Sequence, residues 1–278
     1  MSNWLKSCIT GLSSFLGAGA SQTGSPLPKT QHLHLSLAQV KNRLVIVGDV
    51  HGCLDELKRL MEKVRYSPET TTVILVGDLV AKGPASAEVI RFVKSHKMIS
   101  VRGNHEDNAM LAHYKAGTSK YSTRPDYNFV KSELTTEEIE FIKEFPLSVT
   151  IPELRLQIVH AGVDPGKKGY PIHHQDFADL IRIRCVDENG KTTKDDPSAK
   201  RKLWGPLYTG PPYIVFGHDA KRRLQVHPWA RGIDTGCVYG GSLTALVVND
   251  TRDLQNWMAR AELVSVPAAK AYCERDSD

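Results

Sequence analysis

The chain has 278 residues, of which 41% are hydrophobic, so it is long enough to bury one substantial core, and we expect one domain. Its formal net charge of +5, from 36 Lys and Arg against 31 Asp and Glu, favours anionic partners such as phosphate, polyphosphate or RNA, but it is too small to indicate nucleic-acid binding by itself. Five cysteines without CxxC spacing argue against a disulfide framework and a thiolate zinc site, and no apolar run approaches the roughly 18 residues of a membrane span, so we expect a soluble protein in a reducing compartment.

Residues 1–43 precede the first patterned strand and are predicted to form a flexible tail. Residues 1–40 contain no Asp or Glu and are rich in Ser, Gly and Thr, a composition typical of disordered segments. The same composition, with AGA at 18–20 behind a half-apolar stretch, also fits a targeting segment. Because ITGLSSFLG is too polar for a signal-peptide core, we favour a cytoplasmic protein with a disordered tail and keep organelle targeting as the alternative.

From Leu44 onward, an apolar strand, a turn of glycine and polar residues, and an amphipathic helix follow one another three times. The strands are LVIV (44–47), VILV (73–76) and MISVR (98–102), and their turns are GDVHG, GDLVAKGP and GNHE. The third helix is predicted to reach about Tyr114. Three such units predict parallel strands with right-handed crossovers. In such sheets ligands bind beyond the carboxyl ends of the strands, which is where all three turns fall.

The later part of the chain is richer in strands. After a polar loop at 117–134, Thr135 and Glu138 have the form of a capping box at the start of a helix. LSVTI and LRLQIV predict an antiparallel hairpin that runs into HAG at 160–162, and two more strands are YIVF (213–216), which runs into GHD, and SLTALVV (242–248). The charged segment 186–202, punctuated by Gly and Pro, predicts an exposed loop.

A parallel half followed by a strand-rich half predicts an α/β fold in which two sheets pack face to face with helices outside. We divide the chain into the flexible tail at 1–43, one domain at 44–250, and an appendage at 251–278 that packs on the domain or frays. We expect a monomer.

Side chains that can bind metals follow five of the predicted strands. All are oxygen or nitrogen donors: Asp49, His51, Asp78, Asn104, His105, His160 and His218. Two carboxylates, an amide and several imidazoles suit two divalent first-row metals such as Mn, Fe, Co or Zn, whereas calcium would require more oxygens. Each of these residues alone is a common turn or cap residue. Their recurrence at five strand ends, each beside a glycine, predicts a metal site.

The motifs GDVHG, GDLVAKGP, VRGNHE, HAG and FGHD, in this order, resemble the signature of the calcineurin-like metallophosphoesterases over about residues 44–248. The resemblance implies a two-sheet β-sandwich flanked by helices, with two metal ions that activate a shared water and neutralise phosphoryl oxygens. It implies that Asp49 and His51 bind the first metal and that Asp78 bridges both. It assigns Asn104, His160 and His218 to the second metal, and makes His105 the acid that protonates the leaving oxygen.

The second motif indicates the branch of that family. In the Ser/Thr phosphoprotein phosphatases it resembles GDxVDRG, where an aspartate orients the catalytic histidine and an arginine binds phosphate. Here Ala81 and Lys82 stand at those positions, so either another group orients His105 or the leaving group needs less help. Lysine keeps the charge but loses the two-pronged geometry of arginine. Since a phosphate leaves more readily than a serine alkoxide, the departure favours phosphoanhydride substrates.

GDLVAKGP is similar to the GDLVARGP of the symmetrical diadenosine tetraphosphatases. GNHE, LWGPLYTGPPYIVFGHDA and RGIDTGCVYGGSLTAL look like the eukaryotic ApaH-like phosphatases, whose activities include cleavage of dinucleoside polyphosphates, mRNA caps and inorganic polyphosphate. LIRIRCVDENG is similar to an arginine-bearing helix of the tetraphosphatases, which makes Arg184, and Arg182 second, candidates for binding phosphate. A solvated basic helix face is the alternative.

We therefore predict a hydrolase that cleaves phosphoanhydrides with two metal ions. A Ser/Thr protein phosphatase and an inactive scaffold that binds RNA or protein are the alternatives. Three aromatic residues could stack on a nucleobase or serve only in packing: Trp204, Tyr208 and Tyr213.

Overall fold

The computed structural model describes residues 20–115, 125–168, 171–255 and 257–274, and within these ranges two large β-sheets carry helices on their outer faces. In chain order the strands are β1 (His32–His34), β2 (Arg43–Val47), β3 (Thr71–Leu75), β4 (Ile99–Ser100), β5 (Ser148–Ile151), β6 (Leu156–Val159), β7 (Cys185–Asp187), β8 (Thr192–Thr193), β9 (Arg201–Leu203), β10 (Tyr213–Phe216), β11 (Gln225–Val226), β12 (Ala230–Gly232), β13 (Ser242–Val248) and β14 (Glu262–Pro267). The helices are α1 (Leu54–Lys63), α2 (Ser86–Ser95), α3 (Asn104–Tyr114), α4 (Phe129–Ser132), α5 (Thr136–Lys143), α6 (Phe177–Arg182), α7 (Trp204–Leu207) and α8 (Trp257–Arg260). Short 3₁₀ turns cover Pro125–Tyr127, Pro152–Leu154, Pro165–Lys167 and Ile172–His174.

The strand order agrees with the predicted halves of the chain. One sheet has the order β14-β13-β2-β3-β4, and the other has the order β1-β5-β6-β10-β12-β11. Strands β2, β3 and β4 are parallel, which confirms the three predicted strand-loop-helix units. The predicted hairpin is also confirmed, because β5 and β6 are antiparallel. Every described strand that carries a candidate ligand therefore ends at the rim where the two sheets meet.

Alternate residues of each strand bury opposite faces of the sheet. Leu44 and Ile46 of β2 lie between the two sheets, where they pack with Val149 and Ile158 of the facing sheet. Their neighbours Val45 and Val47 pack outward under the first helices. Since both faces of β2 are buried, its apolar run is continuous rather than alternating.

The outer face of the six-stranded sheet is covered by α6 and α7. Trp204 and Tyr208 pack there against Phe216, and Tyr213 is buried in the core between the sheets. All three aromatic side chains are buried. The interpretation of these residues as packing anchors is therefore the one that the structure supports.

The structure corrects the predicted tail over residues 20–43. Strand β1 pairs in parallel with β5, with His32 opposite Ser148, so this segment extends the six-stranded sheet. The hydroxyls of Thr23 and Ser25 donate hydrogen bonds to the buried carboxylate of Asp107. Two residues of the Ser- and Thr-rich segment that was predicted to be disordered are thus the hydrogen-bond partners of a buried charge. Residues 1–19, about half of the candidate targeting segment, lie outside the described residues.

The prediction for residues 251–278 left two outcomes open, packing on the domain or fraying, and β14 shows packing. It pairs with β13 over six residues, from Ser242 opposite Pro267 to Val247 opposite Glu262. The segment 186–202 is not a plain loop, since β7, β8 and β9 form a three-stranded sheet. These strands were missed because they are short and largely polar, and such strands lack a clear hydrophobic alternation. None of the described helices has the length and apolar character needed to cross a bilayer.

Candidate metal centre

Strand ends from both sheets place the predicted ligands around one buried centre. Asp49 and His51 follow β2, Asp78 follows β3, and Asn104 opens α3. From the facing sheet, His160 follows β6 and His218 follows β10. The structure thus brings together residues that are up to about 170 positions apart in the chain.

Asp78 lies between imidazoles of the two sheets. Its Oδ2 is 3.6 Å from Nε2 of His51 and 3.4 Å from Nε2 of His160, while its Oδ1 accepts a hydrogen bond of 2.9 Å from the backbone N–H of His105. Two groups of potential ligand atoms, each within 4.8 Å of one another, share this carboxylate: His51, Asp78 and His105 in one, and Asp78, His160 and His218 in the other. A shared carboxylate is the arrangement that a pair of neighbouring cations requires.

The grouping differs from the prediction for two residues, the predicted ligand Asp49 and the predicted acid His105. Asp49 is in neither group, and both of its oxygens accept the backbone N–H of His218, at 3.1 and 3.0 Å. His105, predicted as the acid, stands in the first group, with its ring 4.7 Å from that of His51 and perpendicular to it. Geometry alone therefore leaves His105 with two possible roles, an acid or a ligand.

The donor set fits divalent cations. Nδ1 of His51 lies 3.1 Å from the Val80 carbonyl, and Nδ1 of His160 lies 2.8 Å from the Val76 carbonyl. Because a carbonyl oxygen only accepts, both rings carry their hydrogen on Nδ1 and turn the lone pair of Nε2 to the centre. A backbone carbonyl that holds Nδ1 is the usual support of a metal-binding histidine.

Two atoms at the centre lack a suitable protein partner. Nε2 of His218 is buried without a hydrogen bond. Nε2 of His160 lies 3.1 Å from Oδ1 of Asn104 and 3.4 Å from the carboxylate of Asp78, both of which are acceptors. Three acceptor atoms at such distances repel one another unless a cation or an added proton lies between them. The residues thus fit a metal ion at this position.

The charges lead to the same conclusion. Burial, together with Asp234 and Asp78, raises the pKa of Asp49 well above its usual range, and burial raises the pKa of Asp234 to about 6. Burial would also raise the pKa of Asp78, but His160 and His105 outweigh it and hold that pKa well below its usual range. Three carboxylates in one buried region need positive charge nearby, which divalent cations supply.

Burial also keeps two imidazoles neutral. It is the main cause that lowers the pKa of His51 and of His218 well below the usual histidine range, and the positive charges of Lys82 and Arg184 act in the same direction. Only the neutral ring offers a lone pair to a metal. Both residues are therefore ready to act as ligands at neutral pH.

Close backbone approach explains two of the glycines. A Cβ at Gly217 would lie 1.9 Å from Oδ1 of Asp49, and a Cβ at Gly103 would lie 2.2 Å from Oδ1 of Asp78. Any side chain at either position would displace a carboxylate of the centre. Glycine is thus required beside both acids because of space.

Glu106, which the sequence analysis did not assign a role, joins the second and third polar turns. One of its carboxylate oxygens accepts the N–H groups of Asp78 and Gly103 at 2.9 and 2.8 Å, and the other accepts those of Leu79 and Val80 at 2.8 and 3.3 Å. The glutamate of GNHE thereby holds the Asp78 turn against α3. The GNHE motif could have indicated this role, since Glu106 directly follows the predicted site residues Asn104 and His105.

We expect Glu106→Gln to destabilise the fold by about 2 kcal/mol. Glutamine replaces one acceptor oxygen with an NH₂ donor, which then faces two backbone N–H donors. Urea denaturation of the metal-free protein measures the change. Glu137→Gln, at an exposed glutamate of α5, is the matched control and should change the stability by less than about 0.5 kcal/mol. Equal stability of both variants would mean that Glu106 does not hold the turn.

The candidate phosphate-binding residues lie in three different environments. Nζ of Lys82 is 3.5 Å from Nε2 of His51 and 5.2 Å from the ring centroid of Tyr239. Arg184 lies beyond the end of α6, not on it, with Nε 3.9 Å from Asp219. Arg182 donates to Oδ1 of Asn108 at 3.3 Å and lies 3.7 Å from Asp107. Lys82 and Arg184 thus border the centre, whereas Arg182 contacts groups on α3.

The sequence analysis gave no role to two residues near the centre, although one of them, Asp234, lies within RGIDTGCVYGGSLTAL. Asp234 is 3% exposed and adds negative charge beside Asp49 and Asp78. The hydroxyl of Tyr127 lies 2.8 Å from Nδ1 of His105. Neither residue directly follows a predicted strand, so only the folded structure places them near the centre.

Comparison with known proteins agrees with this geometry. Residues 42–232 match the family model of the calcineurin-like phosphoesterases. A bis(5'-nucleosyl)-tetraphosphatase PrpE, asymmetrical, from Halalkalibacterium halodurans is 36% identical, in a match that covers 72% of this chain and 88% of that protein. A symmetrical bis(5'-nucleosyl)-tetraphosphatase from Yersinia enterocolitica is 32% identical, in a match that covers 74% of this chain and 88% of that protein.

Solved structures show the same relation. A crystal structure described as that of "a putative diadenosine tetraphosphatase" is similar with a TM-score of 0.71 at 29% identity, and the match covers 86% of this chain and 98% of that one. A protein serine/threonine phosphatase from Saccharomyces cerevisiae is similar with a TM-score of 0.54 at 15% identity, over 90% of this chain and 86% of that one. The second likeness concerns the fold alone.

Proposed function

Since the chain belongs to the calcineurin-like phosphoesterase family, we propose that it hydrolyses the phosphoanhydride bonds of dinucleoside polyphosphates such as diadenosine tetraphosphate. Capped RNA and inorganic polyphosphate have the same type of bond and are further candidate substrates. The observation that carries the proposal is the position of Asp78, whose Oδ2 lies between His51 of one sheet and His160 of the other.

We assign the ligands as the motifs indicate. Asp49 and His51 would hold one ion, Asn104, His160 and His218 the other, and Asp78 both, with Mn, Fe, Co or Zn as the candidate metals. Two such ions, when bound, supply an activated water and neutralise charge on the phosphoryl oxygens. His105 would donate a proton to the leaving oxygen, and its position beside the Asp78 turn places it at the same edge of the centre.

The positive residues at the rim suit a polyanionic substrate. Lys82 lies beside His51, and its pKa is raised although burial acts to lower it, because Tyr239 and Asp78 outweigh burial. The side chain is therefore charged at neutral pH. Together with Arg184 it provides positive charge next to the centre, where the phosphate chain of the substrate would lie. Lys82 binds as a point charge, without the two-pronged contact of an arginine.

The residue at position 81 favours anhydrides over phosphoproteins. Ala81 is 1% exposed and has no group that could orient His105. Serine alkoxide is a poor leaving group that depends on its acid, whereas a nucleotide phosphate leaves with less assistance. A protein phosphatase is therefore the weaker candidate.

A substrate panel tests the proposal. The purified protein, stripped of metal and then supplied with Mn, Co, Zn or Mg, is offered diadenosine tetraphosphate, capped RNA, polyphosphate and a phosphoserine peptide. We expect no turnover without metal, and with metal we expect turnover of diadenosine tetraphosphate at least about tenfold faster than of the peptide. Faster turnover of the peptide would identify a protein phosphatase. Bound metal without turnover of any substrate would identify an inactive scaffold.

The products of the same assay give the position of cleavage. Symmetrical cleavage of diadenosine tetraphosphate yields ADP alone, whereas asymmetrical cleavage yields ATP and AMP. The relatives include proteins named for each of these outcomes. Because GDLVAKGP is similar to the motif of the symmetrical enzymes, we expect ADP.

A further inference from the structure

A chain of hydrogen bonds leads from the end of α6 to His105. Nη2 of Arg182 donates to Oδ1 of Asn108 at 3.3 Å, and Nδ2 of Asn108 donates to the hydroxyl of Tyr127 at 3.1 Å. That hydroxyl lies 2.8 Å from Nδ1 of His105. His105 and Asn108 are three positions apart on α3, so they share one face of the helix. Tyr127 comes from the 3₁₀ turn at Pro125–Tyr127 and is 2% exposed.

The first two links have a fixed direction. A guanidinium has only donors, so the group of Asn108 that faces Arg182 must be its oxygen. The amide NH₂ of Asn108 then faces Tyr127 and donates to the phenol oxygen. Arg182 thus determines which way the amide of Asn108 is turned.

The direction of the last hydrogen bond, between Tyr127 and His105, follows from the burial of the Tyr127 hydroxyl. The contacts that the described residues make with Oη of Tyr127 are those of Asn108 and His105. Since the Asn108 amide occupies the oxygen as a donor, Nδ1 of His105 is the acceptor available to the tyrosine proton. If Nδ1 itself carried hydrogen, the buried O–H of Tyr127 would be left without an acceptor. The arrangement therefore favours the His105 tautomer whose hydrogen is on Nε2.

Nε2 is the nitrogen left to face the centre. A ring nitrogen of His105 lies within 4.8 Å of both a carboxylate oxygen of Asp78 and a ring nitrogen of His51. Because Nδ1 is engaged by Tyr127, Nε2 can present its hydrogen to the substrate. This is the state that a proton donor to the leaving oxygen needs.

We propose that Tyr127, itself held by Asn108, is a positioning residue that orients His105 and keeps its proton on Nε2. The inference rests on the proposed function, in which His105 protonates the leaving oxygen. As the bond between phosphorus and the leaving oxygen breaks, the proton of Nε2 passes to that oxygen while the hydroxyl proton of Tyr127 passes to Nδ1, so that His105 stays neutral. The attacking water forms the new phosphorus–oxygen bond, and a proton that it releases restores Tyr127.

Tyr127 orients His105 as the aspartate of the protein phosphatases orients their catalytic histidine, but it acts in the opposite direction. A carboxylate accepts a hydrogen from the ring that it orients, whereas Tyr127 donates one to Nδ1. His105 then offers the single Nε2–H of a neutral ring. Such a donor suits a leaving phosphate, which needs less assistance than an alkoxide, so the same contact favours anhydride substrates.

Tyr127→Phe removes only the hydroxyl and is the first test. We expect kcat to fall about ten- to a hundredfold with KM and metal content nearly unchanged, because part of the contribution of a general acid is lost. The loss should be larger on phenyl phosphate than on p-nitrophenyl phosphate, since the poorer leaving group depends more on its acid. Tyr208→Phe is the matched control, because Tyr208 is also buried and its hydroxyl donates at 3.0 Å to the Pro212 carbonyl, away from the centre. It should leave kcat unchanged.

Asn108→Asp is the second test, and it reverses the chain. The new carboxylate accepts the proton of Tyr127, so the phenol oxygen must accept from Nδ1 of His105, and the ring hydrogen moves away from Nε2. Nitrogen NMR of the zinc-loaded, ¹⁵N-histidine-labelled protein distinguishes the two tautomers, with the His105 signal identified by its absence in His105→Asn. We expect hydrogen on Nε2 in the wild type and on Nδ1 in Asn108→Asp, with a loss of kcat at least as large as in Tyr127→Phe.

Two results would overturn the proposal: hydrogen on Nδ1 in the wild type, or a Tyr127→Phe loss that is equal for both leaving groups. Thermal melts of each variant show whether it is folded. The NMR readout does not depend on turnover. A wild-type protein that hydrolyses no substrate but keeps hydrogen on Nε2 therefore contradicts the proposed function and not the hydrogen-bond chain.

Discussion

Asp78→Asn is expected to reduce kcat/KM by about three powers of ten and to remove at least one of the two metal ions. Both groups of candidate ligands share this carboxylate. Loss of its charge therefore weakens both cation sites, and transition-state stabilisation of several kcal/mol by a metal pair corresponds to such a factor. Metal analysis by mass spectrometry and kinetics with diadenosine tetraphosphate measure the two effects.

The fold should survive this substitution. Asparagine keeps an oxygen that can accept the backbone N–H of His105, which is the contact that Oδ1 of Asp78 makes. Asp55→Asn, at an exposed carboxylate of α1, controls for the loss of one negative charge and should bind metal and turn over substrate as the wild type does. If Asp78→Asn keeps both ions and full activity, the shared carboxylate is not a metal ligand, and the dinuclear centre as assigned is wrong.

The parts of the fold that could be predicted are those whose pattern is complete within a short stretch of the sequence. Each of the three parallel units combines an apolar strand, a glycine turn and a helix within about thirty residues, and the first two helices are amphipathic. The candidate ligands could be named for the same reason, because all of them stand directly after such strands. The rule that parallel strands gather ligands at their carboxyl ends then places them together.

The parts that could not be predicted depend on partners far away in the chain. Strand β1 has three residues, and its partner β5 is more than a hundred positions later. Strand β14 depends on its antiparallel pairing with β13. Composition suggested disorder for residues 20–43, but it carries no information about the buried carboxylate of Asp107 that their hydroxyls satisfy.

Contacts between buried side chains could not be predicted from the sequence either. Cys53 and Cys237 have no motif spacing, yet both are buried and lie in one close group with Glu56. The hydrogen bond with Cys237, together with burial, raises the pKa of the Cys53 thiol far above its usual value. The Cys53 thiol therefore stays protonated, and both cysteines pack within the hydrophobic core.

The candidate site shows the same limit. The sequence predicted that a group other than Ala81 must orient His105 or that none is needed, and it could not choose. Tyr127 is the group that we propose, but it lies within the polar loop predicted at 117–134, with no motif around it. Arg184 similarly belongs to the segment before β7 and not to the helix on which the sequence placed it.

His105→Asn is the second substitution with a large expected effect. We expect kcat to fall by about two to four powers of ten, because a proton donor to the leaving oxygen contributes that much. The loss should be smaller for p-nitrophenyl phosphate than for phenyl phosphate, since p-nitrophenolate leaves without a proton. Steady-state kinetics on both esters and on diadenosine tetraphosphate give the three values to compare.

Metal content then separates the two roles that geometry permits for His105. The ring belongs to the same close group as His51 and Asp78, so it could bind a metal, but its Nδ1 contacts Tyr127, and burial lowers its pKa to about 3, which leaves a neutral ring in the metal-free protein. An acid can be lost without loss of the ions, whereas a ligand cannot. If His105→Asn binds both ions as tightly as the wild type, while His51→Asn loses one, His105 is the acid and the activity lost is that of proton transfer. If His105→Asn loses an ion, His105 is a ligand, and the proton for the leaving oxygen must come from another group at the rim.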